Sequence, residues 1–499
     1  MQKFLILLLL AVLTPTVAHA GLNEGLAAVK KKDFNTALKE LKPLADQGNG
    51  AAQFFLGVMY RNGEGVPKNA TEAFDFFHKA AMLGKGSTAA YNAYAQYYLG
   101  LMYYTGEGVP KNVAEAATWF QKSAANGNPE AQYRIGGMYY SGDGVPQDFA
   151  QAVTWLRKAS VQGTHSAVPG NAEALNQLGA MYANGLGVQK DTAQAAIFYR
   201  RAADLGNAYA QFNLGSLYFT GNGVSKNVSE AVGLFRKAAA HGQSAAQLTL
   251  GLLYTVGNGV PIDATQAVAW YRKAADQGNA EAQYRLGAAY AGGNGVPIDA
   301  TQAVVWYRKA ADQGNAEAQY RLGAAYVGGN GIPRDIGQGA AWYQKAAKQG
   351  NAEAQFFLGN LYRSGDGVPK DASQAAEWYR AAGQQGYANA QYNLGVAYGR
   401  GDGVQANATE SAAWFRKAAD QGNSSAQFNL GLMYAKGDGV PQNTTQAAAW
   451  FHKAADQGMA CAQRNLSAMY ANGEGVQKDA DQAADWHSKS VANNNLCSQ

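Results

Sequence analysis

Apolar positions recur along two kinds of helical face, and the clearest copy of the pattern runs from Asn279 to Gly314. In its first segment, Ala282, Leu286 and Tyr290 are spaced by four, which puts them on one face of a helix, called helix A here. The stretch Gly293-Asn294-Gly295-Val296-Pro297 ends that helix, because glycine supplies a left-handed C-terminus and proline stops propagation. A second helix, helix B, starts at Asp299, an N-cap acceptor. Gln302 three residues later can reach back to complete a capping box. Helix B continues through Ala303, Trp306, Tyr307 and Ala310 to Gly314, with Arg308 and Lys309 in its later half, where cations suit the helix dipole.

The same unit recurs along the chain. All nine tryptophans occupy the position of Trp306: Trp119 and Trp155 are 36 residues apart, and Trp270, Trp342, Trp378, Trp414, Trp450 and Trp486 keep that interval. A fixed period of this length is the mark of a solenoid, in which one supersecondary unit is stacked repeatedly. Twelve units align on a Leu-Gly pair or its equivalent, and all twelve carry Asp or Asn followed three residues later by Gln or Glu. The helix-interior glycine, Gly287, costs about 1 kcal/mol relative to alanine. It recurs at Gly57, Gly100, Gly136, Gly179, Gly215, Gly251, Gly323, Gly359, Gly395 and Gly431, with Ser467 in the twelfth unit. A penalty accepted that often implies close helix–helix approach. The tryptophan is expected to be a packing knob whose indole N–H needs a partner if buried.

The pattern resembles the Sel-one-like repeat (SLR) family, a relative of the tetratricopeptide repeat. The residues that carry the resemblance are Ala280-Glu281-Ala282-Gln283-Tyr284, Leu286-Gly287, Tyr290, Gly293-Asn294-Gly295-Val296, and Ala303 with Trp306 to Ala311. It implies an all-α fold, an α/α superhelical solenoid of about twelve helix-turn-helix repeats, with helix A along the inner, concave wall. Members serve as adaptors or scaffolds for other proteins. The expected organisation is a signal peptide over 1–20, a degenerate helical cap over 21–48 with its turn near Lys32-Asp33, the repeats over 49–490, and a tail over 491–499.

Two departures from the period are candidates for function. The Leu-Gly pair moves 43 residues from Gly57 to Gly100 and again from Gly136 to Gly179, so seven residues are inserted near Lys85–Tyr91 and Thr164–Gly170. Insertions in repeat arrays often mark a binding face, which makes His165 a candidate contact. The variable position before the recurring Leu holds Phe55, Tyr98, Arg134, Gln177, Asn213, Thr249, Arg285, Arg321, Phe357, Asn393, Asn429 and Asn465. On a concave wall this column forms a ladder suited to an extended polypeptide, or to a glycan such as peptidoglycan. Solvated residues inside a curved rod are the bland alternative.

Charge and composition narrow the function classes. Lys3, the apolar run Phe4–Leu13 and Ala18-His19-Ala20 read as an export signal, with no Cys after the cleavage point to anchor a lipoprotein. The mature chain is therefore expected in the periplasm or secreted. Without Lys3, 40 bases face 36 acids, a weak excess with no basic stripe of the kind that binds nucleic acid. The two cysteines, Cys461 and Cys497, are 36 residues apart. Adjacent layers lie about 8–10 Å apart, and a disulfide needs Cα atoms within about 7 Å. A bridge would thus require the tail to bend inward, and two free thiols are the alternative.

No enzyme motif emerges. The Gly-x-Gly-Val turns follow helices and lack a Gly-Lys-Ser/Thr, so they are not phosphate loops. His78, His241, His452 and His487 stand singly, no Gly-x-Ser-x-Gly elbow is present, and the carboxylates are mainly accounted for by caps and exposed faces. The expectation is an exported, non-catalytic binding scaffold without cofactor, active in cell-envelope assembly or host interaction. Two alternatives stand beside it. One is an envelope enzyme acting on peptidoglycan or β-lactams. The other is a eukaryotic lumenal quality-control adaptor, compatible with the triplets Asn69-Ala70-Thr71 and Asn443-Thr444-Thr445.

Overall fold

The computed structural model describes residues 20–83, 89–161 and 171–492. Among the described residues there are 26 helices and no strand, and the chain divides into two compact units, Met1–Gln247 and Leu248–Gln499. In the first unit, Ala20–Lys31 packs on Phe34–Asp46 across a turn where Lys32 adopts φ 59°. Helix pairs then follow from Gly50–Asn62 with Ala70–Ala81 to Ala208–Thr220 with Val228–Ala240. In the second unit the pairs run from Ala280–Gly292 with Ala300–Asp312 to Ala460–Asn472 with Ala480–Ala492. Within each unit every helix A packs on its own helix B, and that helix B packs on the next helix A.

The start of helix B is built differently from a capping box. Asp299 Oδ1 does accept the N–H of Gln302 at 2.9 Å. The reciprocal bond from Gln302 is not made, because the Asp299 N–H already donates to the carbonyl of Tyr290 at 3.0 Å. The same backbone bond joins Asn69 to Tyr60, Asp191 to Tyr182, Asp371 to Tyr362 and Asp479 to Tyr470. It ties the entry of helix B to the last full turn of helix A and fixes the hairpin.

The recurring glycine gives each hairpin its close contact. A Cβ on Gly287 would lie 2.7 Å from Cδ1 of Tyr307 and 3.2 Å from the carbonyl of Ala303, both on its own helix B. Phe120, Leu156, Tyr199 and Phe451 press in the same way on Gly100, Gly136, Gly179 and Gly431. In the twelfth repeat the aromatic is replaced by exposed His487, so the glycine is not needed. Ser467 occupies its place and donates to the carbonyl of Ala483 at 2.7 Å.

Two devices join one repeat to the next. Trp306 is 5 % exposed and belongs to the core of the preceding layer, with Val268, Tyr271, Leu286 and Ala289. Trp414, Trp450 and Trp486 repeat that placement. A lysine one turn on lies over the indole, from Lys309 at 3.9 Å from the Trp306 ring to Lys273 at 4.0 Å from Trp270. The indole N–H groups of Trp155, Trp306, Trp450 and Trp486 have no protein acceptor. The second device is a buried glutamine on helix A. Gln319 donates to the carbonyl of Ala311, in the last turn of the previous helix B, at 3.1 Å, and accepts from Gln349 at 2.8 Å. Gln283, Gln355, Gln391 and Gln427 make the same clamp, which satisfies carbonyls a helix end leaves unpaired.

Candidate partner-binding site

The column before the recurring leucine is not one uniform surface. Phe55 and Tyr98 are 1 % and 4 % exposed, so they are core residues and not free anchors for a partner. Phe55 packs edge-on to Phe54 and near Tyr91, and Tyr98 stacks on Phe77 at 4.9 Å. Arg61, paired with Glu107 at 2.9 Å, closes this cluster over the Tyr98 ring. The physical reason is the helix A of the second repeat. It runs from Ala89 to Thr105, 17 residues against 13 in its neighbours, and its extra first turn brings Tyr91 onto Phe54 and Phe55. The described part of the first insertion therefore lengthens a helix. Residues 84–88 and the whole second insertion, His165 included, lie outside the described residues.

Further along, the column is polar and partly open. Arg134 is exposed beside half-buried Glu130, whose carboxyl is held above the usual range by burial and by the nearby Glu173. Asn213 bonds Asn176 at 3.1 Å and Asn393 bonds Asn360 at 3.3 Å, so these two amides link successive A helices. Asn429 is half-buried, and Phe357 is half-buried in a stack with Tyr320 and Tyr343.

Arg285 and Arg321 are exposed and occupy equivalent positions in successive repeats. Each pairs with the glutamate one turn earlier, Glu281 at 2.7 Å and Glu317 at 3.0 Å, and leaves 44 % and 49 % of its side chain exposed. Each guanidinium also lies over a ring, Tyr284 at 5.6 Å and Tyr320 at 5.1 Å. The second oxygen of each glutamate accepts from an asparagine of the next repeat, Asn315 at 3.2 Å and Asn351 at 3.0 Å. Two arginines of successive repeats are thus held by equivalent frames, each with nearly half of its side chain exposed. Burial pushes the Tyr307 phenol near Arg321 up to about 12, so it stays neutral at ordinary pH.

Twelve successive matches to the Sel1 repeat family cover residues 50–85, 93–128, 129–163, 172–207, 208–243, 244–279, 280–315, 316–351, 352–387, 388–423, 424–459 and 462–495. The chain belongs to the Sel1 repeat family. It is an all-helical Sel1-repeat solenoid of about twelve repeats. Among solved structures, it is similar to a protective antigen present in uropathogenic Escherichia coli strains that displays an SLR fold. That similarity is 36 % in sequence over 91 % of this chain and 94 % of the other, with a TM-score of 0.71. A Sel1 repeat protein from Oxalobacter formigenes is 39 % identical over 60 % of this chain and 86 % of that one, with a TM-score of 0.48. No curated protein matches the chain. Sel1-repeat proteins generally mediate protein–protein interaction, and the fold is typically a non-catalytic scaffold.

The remaining chemistry is dispersed. His78 packs on Phe74 and Trp119, His241 bonds the carbonyl of Gly206 at 3.2 Å, and His452 pairs with Asp456 at 3.0 Å. Among the described residues no three metal-ligating side chains are gathered, and no helix is long and apolar enough to cross a membrane. Cys461 is half-buried and is not a free thiol, whereas Cys497 lies outside the described residues.

The frame that orients the two arginines is not among the features the repeat pattern singles out. The glutamates and asparagines of Glu281/Asn315 and Glu317/Asn351 recur at a separation of 34 residues, a signal present in the chain.

Proposed function

We propose that this Sel1-repeat protein is an exported scaffold that docks a protein partner along its A-helix face, in cell-envelope assembly or in contact with host proteins, and does no chemistry itself. The Lys3, Phe4–Leu13 and Ala18-His19-Ala20 pattern supports export. The likeness to a protective antigen supports a setting outside the cytoplasm. The observation that carries the docking surface is the Arg285/Arg321 pair. Both side chains are held by a carboxylate and a ring, so a partner meets preordered donors and the cost of fixing them on binding is reduced. Arginines of this kind are frequent interface hot spots.

The test is affinity capture from envelope extracts and from host secretions, comparing the wild type with the Arg285→Ala/Arg321→Ala variant. Exposed i,i+4 ion pairs are worth less than about 1 kcal/mol to folding. The variant should therefore stay folded while recovery of the partner falls at least about tenfold, the result of losing about 1.4 kcal/mol of binding. Equal recovery by both proteins rules out this surface.

A further inference from the structure

In the tenth repeat the turn into helix B departs from every other copy. The residue before the N-cap is Lys370 in the ninth repeat and Gln442 in the eleventh, and Lys, Arg, Gln or Ile in the rest; the tenth has Ala406. Its Cβ sits as theirs do, 3.4 Å from a Cβ built on Gly401, where Lys370 and Gln442 approach Gly365 and Gly437 to 3.1 and 3.2 Å. The neighbours continue past that atom and this residue stops. Glu410 stands where Gln374 and Gln446 stand in the flanking repeats, a position that also holds glutamate at Glu72, Glu115 and Glu230; only in the tenth repeat does it coincide with the alanine.

A cleft of about 460 Å³ lies at this place, lined by Arg380 from the ninth repeat and by Tyr398, the turn at 404–407 and Glu410 from the tenth. That volume falls within the range of small-molecule sites. Arg380 is half-buried and donates to the Tyr398 hydroxyl at 3.0 Å, which fixes the guanidinium while leaving other N–H groups unused. Neither Arg380 nor Glu410 makes an ion pair among the described residues. One cleft therefore offers a fixed, half-buried cation and an exposed carboxylate, neither of them in an ion pair.

We propose that this cleft binds a small zwitterion carrying a free ammonium and a free carboxylate, an α-amino acid or a short peptide with both ends free. Arg380 takes the carboxylate, for which the guanidinium fork is matched. Glu410 takes the ammonium, and the space vacated at Ala406 holds the body of the ligand. A singly charged ligand would leave one of the two protein charges unpaired.

Calorimetric titration of the full protein with L-alanine and with L-alanyl-L-alanine tests this, with N-acetyl-L-alanine and L-alaninamide as blocked controls. Saturable binding of at least one zwitterion is expected, with a dissociation constant in about the millimolar range or tighter. Which of the two binds better tells a free amino acid from a peptide terminus. Each blocked control should bind at least about tenfold more weakly, the loss of one charge-assisted contact. Ala406→Lys and Glu410→Gln restore the residue types of the flanking repeats, so both should fold, as circular dichroism will show. Ala406→Lys should abolish binding, and Glu410→Gln should erase the preference for a free amine. Failure of both zwitterions to bind, equal binding of the blocked controls, or binding that survives Ala406→Lys overturns the assignment.

Discussion

Replacing Gly331 by alanine should destabilise the Leu248–Gln499 unit by about 3 kcal/mol or more, within the range of overpacking combined with backbone strain. The backbone there has φ +72°, and an added Cβ would lie 2.2 Å from the carbonyl oxygen of Ala300 and 2.3 Å from its carbon. The obstacle is the first turn of the preceding repeat's helix B, which has no rotamer to change. Gly295 and Gly439 meet Ala264 and Ala408 identically, so this contact sets how each turn sits on the helix before it. Gly314 is the control, with φ +93° and nothing within 4 Å of its added Cβ. Gly314→Ala should incur the left-handed penalty alone, about 1–2 kcal/mol. Urea unfolding followed by circular dichroism compares the two. Equal losses would mean that the turn does not bear on its neighbour.

The second large effect reverses the ordinary rule for glycine in a helix. Gly323→Ala should destabilise by about 2 kcal/mol, as small-to-large changes in packed sites do, although alanine is the better helix former by about 1 kcal/mol. The new methyl would meet Tyr343 Cδ1 at 2.7 Å and the carbonyl of Gly339 at 3.0 Å. Gly137 lies in the helix Pro129–Ser141 with nothing near its added Cβ. There the same change should stabilise by about 0.5–1 kcal/mol. Thermal unfolding of both variants decides the matter. A gain in both would show that the hairpin tolerates a wider separation than the ring–glycine contact indicates.

These two positions show what the chain discloses and what it hides. The four-residue spacing of Ala282, Leu286 and Tyr290 gives helix A, because a buried face must repeat with the helical turn. The recurring glycine signals close approach, though not its object, since only the folded hairpin puts Tyr307 against Gly287. Asp299 and Gln302 locate the start of helix B correctly. The competing carbonyl of Tyr290 is nine residues earlier but on helix A, and only the folded turn brings it to Asp299 in place of the second half of the capping box. The column before the leucine fared unevenly for a similar reason. Its register is fixed by the repeat, but exposure depends on what the adjacent helix brings. The extended turn Ala89–Asn92 buries Phe55, while nothing covers Arg285 or Arg321 to the same degree. Opposed charges at Arg380 and Glu410 are 30 residues apart and become one cleft only through stacking.

Docking on the A-helix face is tested most directly by placing a photo-crosslinking benzophenone side chain at Arg321 and, in a second protein, at Glu377 on the exposed face of the helix Ala372–Gln384. Both are irradiated in the extract that yields the captured partner. The partner should be crosslinked from position 321 and not from 377. Crosslinking from 377 alone would place the interface on the B helices and contradict the assignment.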